Sequence, residues 1–98
     1  MIPSFSKNKE TSDFVKSTKG IYVDNTTKNK LNTSKYFLPL SFGISFEIGS
    51  VTIPQYSKGM LMTYNSGDAA LIAIDSRGNL YTAFRNGTTW QYGKKWDI

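Results

Sequence analysis

Large apolar side chains stand at every second position from Leu38 through Leu40, Phe42, Ile44 and Phe46 to Ile48, and between them lie Pro39, Ser41, Gly43, Ser45 and Glu47. An extended chain sends successive side chains to opposite faces. The spacing therefore predicts one long strand from about Phe37 to Ile48, with a core face and a nearly bare face. Ser41, Gly43 and Ser45 leave the bare face open to another backbone, and together with Glu47 they are the candidate contact between copies in an oligomer. A β-bulge bending the strand at Gly43 is the alternative.

The rest of the chain reads the same way. "GIYV" at 20–23 predicts a short strand, and "DNTTKNKLNTSK" predicts a polar loop. Gly49 and Ser50 turn the chain into "VTI" before Pro54, followed by "MLMTY", the turn "NSGD", and "AALIAI" as a buried strand. "DSRGN" predicts a tight turn closed by a positive φ at Gly78. "LYTAF" and "TTWQY" then pair through an Asn86-Gly87 hairpin turn. In "TWQY" the alternation places Trp90 and Tyr92 on one face and Gln91 on the other. No stretch has a helical period. The fold class is all-β, a small antiparallel β-sandwich or partly open barrel.

Residues 1–19 show neither period and read as a polar basic arm, with the β domain at 20–98. A basic segment of this kind gains order only against a complementary surface. Phe5, Lys7, Lys9, Phe14, Lys16 and Lys19 are the residues that would anchor it. The net charge of +5 is concentrated early: residues 1–35 carry seven lysines against three acids, and the remainder five cations against four anions.

Ninety-eight residues support one domain. With no cysteine and no histidine, disulfides, thiolate nucleophiles, imidazole bases and the usual zinc ligand sets drop out, and no cofactor or metal is expected. No run of eighteen apolar residues predicts a membrane span. The first twenty residues lack a secretory apolar segment, which predicts synthesis in a cytoplasm, with retention there or release in a larger particle.

Catalysis without histidine falls to carboxylates, tyrosines and lysines. Asp24, Asp68 and Asp75 sit in turn sequences, where an Asx side chain caps its own backbone, and Glu47 alone lies within a strand. The expectation is a non-enzyme. Nucleic-acid binding is disfavoured because the lysines and the aromatics occupy opposite ends of the chain. Trp90, Tyr92 and Trp96, with Arg77 and Arg85, form a candidate surface for a glycan or protein ligand, aromatic faces stacking while polar groups bond hydroxyls. Either tryptophan could instead simply cap the small core.

The closing segment "GNLYTAFRNGTTWQYGKKWDI" resembles the knob domains at the tips of bacteriophage tail fibres and pyocin-type fibres. Those domains end on a phrase of the type G-x-[IL]-Y-x-R-x-x-N-G-x-W-x-x-W-x-x-[IL]. Gly78, Leu80, Tyr81, Asn86, Gly87, Trp90 and Ile98 fall in or near it, and Gly20 to Tyr22 and Gly59 to Met62 resemble two earlier strands. Ala83 stands where the family has Arg, and Gly93 where it has a second Trp. The resemblance implies a virion component, a fibre or spike protein attached to other virion proteins. It also implies a homo-oligomer, with a trimer favoured, that recognises a host-surface glycan or other receptor. A capsid-associated decoration protein without a receptor and a free-standing carbohydrate-binding module are the alternatives.

Overall fold

The computed structural model describes residues 20–33, 37–65 and 67–97. The expected anchor residues Phe5, Lys7, Lys9, Phe14, Lys16 and Lys19 lie outside the described residues. The strands are β1 (Ile21–Val23), β2 (Leu38–Phe42), β3 (Phe46–Ile48), β4 (Val51–Ile53), β5 (Lys58–Asn65), β6 (Asp68–Ile74), β7 (Leu80–Asn86) and β8 (Thr89–Trp96), and one helical turn, α1 (Lys30–Thr33), follows β1. The domain is all-β. Six strands form an open sheet in the order β1-β2-β5-β6-β7-β8, and β3 and β4 form a second, two-stranded sheet. All pairs are antiparallel except β1 with β2.

The long strand expected from Phe37 to Ile48 is interrupted at Gly43–Ser45, between β2 and β3. The interruption is a fold-over, and the pairing continues through it. Leu38 faces Leu61 and Ser41 faces Lys58 in the large sheet, while Phe46 faces Ile53 and Ile48 faces Val51 in the small one. All four pairs obey one register, and the Phe42 amide donates to the Ser57 carbonyl on that register at 2.8 Å. One hairpin from Leu38 to Leu61 is thus bent double, its tip lying over the sheet from which it springs.

The bend keeps the alternation intact. Leu40, Phe42 and Ile48 are buried, and Leu38, Ile44 and Phe46 are half-buried against the same core, each fully buried side chain contributing about 1.5–3 kcal/mol. At the corner the Tyr22 ring lies over Gly43, in the space a Cβ would need. The Gln55 amide holds the Gly43 carbonyl at 3.0 Å, and the Ser57 hydroxyl donates to Pro54 at 2.7 Å. Gly43, expected at a contact between copies, is half-buried beneath the exposed Tyr22 ring.

The loop expected at 24–35 contains α1, a single turn too short to display a helical period. Leu31 on it is fully buried. Asp24 starts the loop: its Oδ1 accepts the amides of Thr26 and Thr27 at 2.8 and 3.0 Å. The three later hairpins form as read, although the β7–β8 turn consists of Gly87 and Thr88, with Asn86 paired to Thr89. Gly87 has φ 76°, a conformation that a two-residue hairpin turn demands and a side chain resists.

Candidate functional site

Alternation predicts which strand residues reach the surface, and β8 breaks it. Thr82 pairs with Lys94 and Phe84 with Gln91, so Tyr92 and Gly93 together oppose Ala83 in a bulge. Tyr92 takes φ 53° and swings to the solvent face, where it stacks on Phe84 at 4.8 Å and 8°. Gly93 turns inward instead, where a Cβ would lie 3.0 Å from Ile48 of the small sheet. The expectation that Trp90 and Tyr92 share a face is thereby corrected.

The five expected ligand residues separate into distinct environments. Arg77 is exposed in the β6–β7 turn, and Tyr92 and Trp96 are exposed on the outer face of the large sheet. Lys94 places its ammonium 3.8 Å from the Trp96 ring centre, and the Trp96 indole donates to the Thr82 hydroxyl at 2.9 Å. Arg85 is 0% exposed, which corrects its assignment as a surface contact. Its guanidinium donates to the Gly87 carbonyl at 2.9 Å and lies 5.7 Å from the Trp90 ring centre. Burial pushes the Arg85 pKa down, while the Asp68 charge acts in the opposite sense. Arg85 thus ties the β7–β8 turn to the underside of Trp90 from within the core.

Trp90 is itself 8% exposed, yet it reaches the wall of a cleft of about 290 Å³ at the mouth of the two sheets. Lys28 and Asn29 from the loop before α1 and Asn32 of α1 line one side, Phe46 and Glu47 from β3 another, and Thr88 of the β7–β8 turn with Thr89 at the start of β8 the third. A second hollow bounded by Lys28, Ser45, Phe46 and Glu47 shares three of these residues. Ser45 and Glu47, expected at a contact between copies, are placed here. An ammonium, a carboxylate, two carboxamides and two hydroxyls beside two aromatic rings offer both donors and acceptors around a partly apolar wall. This is chemistry suited to a neutral, hydroxyl-rich ligand. Sequence reasoning missed Asn29, Asn32 and Lys28 because their loop has no period, and only the bend in the β2–β5 hairpin brings Glu47 to them.

Two carboxylates of the turns, Asp24 and Asp75, are bonded to their own backbone. Asp75 is buried; its Oδ1 accepts the Arg77 and Asn79 amides at 2.8 and 3.0 Å, and its Oδ2 accepts the Tyr81 hydroxyl at 2.8 Å and the Asn79 carboxamide at 3.2 Å. Burial raises the Asp75 pKa, but the bonds from Tyr81, Asn79 and Arg77 outweigh it and hold the carboxyl at about 2. Burial and the bond to Asp75 push Tyr81 up to about 12. Asp24 is likewise lowered, chiefly by its hydrogen bonds from Thr26.

The outer face of the large sheet carries no described element. Met60, Ile72, Thr82 and Lys94 form one cross-strand row, and Met62, Ala70, Phe84 and Gln91 the next. Ser41, the remaining member of the expected contact set, lies at the margin of this face opposite Lys58. No protein family, curated protein or solved structure matches the chain.

Proposed function

We propose that the chain is a non-enzymatic knob of a bacteriophage fibre or spike, and that the cleft between the α1 loop, β3 and the β7–β8 turn receives a host-surface glycan. The observation that carries this reading is the convergence of Lys28, Asn29, Asn32, Glu47 and Thr89 around Phe46 and Trp90. Glycan hydroxyls both donate and accept, and these side chains supply both complements; Phe46 and Trp90 add apolar wall for the C–H patches of a sugar ring. The closing phrase that resembles fibre knobs supports the same context. The Asp24 and Asp75 carboxylates, bonded to their own turns, favour a binding role over acid–base chemistry. Attachment to other virion proteins falls to residues 1–19.

The test is a glycan array probed with the full chain, followed by calorimetric titration of the best hit. Asn32→Ala and Glu47→Gln should each weaken binding by about tenfold, the worth of one or two hydrogen bonds. Tyr92→Ala should leave affinity for a single glycan unchanged. Loss of binding in Tyr92→Ala with retention in both cleft variants would move recognition to the outer face. A chain that binds no glycan while coating particles in many copies would favour a decoration protein, a second reading supported by the apolar outer face.

A further inference from the structure

We infer that the outer face of the six-stranded sheet is the interface with a second copy of this chain, packed face to face about a two-fold axis. The inference stands on the sheet alone and is independent of any glycan. One face of the sheet is covered by the folded hairpin and α1, and the other leaves Met60, Ile72, Ile74 and Phe84 between 40% and 45% exposed. These residues occupy adjacent strands in register, so their exposure is one continuous field. Contiguous apolar surface of this extent marks an interaction site in a water-soluble protein.

Area and charge choose the occupant. Strands β2 and β5 to β8, spaced about 4.8 Å apart, and a strand length of seven residues outline a face of roughly 24 by 24 Å. Two such faces together bury about 1,200 Å², the lower end of the range for stable, specific interfaces. Aliphatic side chains at its centre have no hydroxyl-bonding capacity, so a glycan is a poor complement, whereas an identical field of Met, Ile and Phe is a good one.

Lys94, held over the Trp96 ring, lies in the row of Met60 and Ile72, and the two charges at the strand ends are of opposite sign. Asp68 begins β6 at one end, and Lys58, opposite Ile74, stands at the other. A two-fold axis lying in the interface and perpendicular to the strands exchanges the two ends. It sets Asp68 of each copy beside Lys58 of the other, giving attraction at both ends of a self-complementary contact. A parallel arrangement would place like charges together.

Sedimentation equilibrium of the full chain tests this. The expected mass is twice the 11.0 kDa of one chain. Ile72→Lys, on an exposed position, should raise the dissociation constant by more than about tenfold while leaving the circular dichroism spectrum unchanged. Asp68→Lys should also weaken the pair, and Lys58→Asp in the same chain should restore it. A monomer at micromolar concentration would overturn the proposal, as would a trimer, a dimer indifferent to Ile72→Lys, or a charge reversal without restoration.

Discussion

Two glycines separate close packing from mere contact. A Cβ at Gly59 would run into the Ile72 carbonyl and the Ala73 backbone, whereas one at Gly43 would meet only the end of the Tyr22 side chain. Backbone in a central strand pair cannot retreat, but the exposed Tyr22 ring can swing aside. Gly59→Ala should therefore cost about 2–3 kcal/mol and Gly43→Ala about 1 kcal/mol or less, compared by urea denaturation. The Asp75–Tyr81 pair sets a pH dependence. The folded carboxyl titrates near 2, below its ordinary 3.8, so its contribution is complete above about pH 4 and is lost as pH falls toward 2. Tyr81 titrates near 12 rather than 10, so its contribution persists below pH 10 and is lost as pH rises toward 12. Asp75→Asn should flatten the acid limb of the stability profile, measured as the urea midpoint at a series of pH values.

Among the elements, β8 is where local and tertiary demands collide. Tyr92 accepts a left-handed backbone so that Gly93 can meet Ile48, and its stacking on Phe84 offsets part of the strain. Tyr92→Ala should destabilise by about 1 kcal/mol, because it loses the stack and keeps the strain. Tyr92→Gly should cost less, since glycine relieves the backbone; thermal melts of the two variants check the order. The sequence reading captured the meander because Asp75 to Asn79 and Asn86 to Thr88 are turn formers with local instructions. It captured the core face of the β2–β5 hairpin because register and parity survive the bend. It missed the bend itself, which is held by partners outside the strand: the Val23 carbonyl accepts the Gly43 amide and the Gln55 carboxamide donates to the Gly43 carbonyl. The candidate site was legible only through Trp90. Arg85 looked like a surface cation because nothing in its neighbourhood shows that β7 turns it inward.

For the domain as a unit, the two surfaces have complementary chemistry and lie on different sides of the core. The polar cleft opens at the mouth of the sheets, and the apolar field covers the opposite side of the large one. A face-to-face pair would therefore leave both clefts accessible, on opposite outer sides of the pair and at opposite strand ends, facing away from each other. One flat surface cannot engage both clefts of such a pair, so binding to an immobilised glycan should stay within a few-fold of binding to the single glycan, while a soluble polysaccharide should be cross-linked. Ile72→Lys should abolish that cross-linking while leaving single-site affinity intact, read by light scattering of polysaccharide mixtures beside calorimetric titration with free oligosaccharide.

The doubled-over hairpin ends at Gly49 and Ser50, both exposed, and among the described residues nothing beyond its chain neighbours lies within 4 Å of where a Gly49 side chain would begin. Its stem is pinned below by Ile48 against Gly93. A foreign peptide spliced into that tip would ride on a stiff two-stranded mast, making the loop a natural port for displayed cargo.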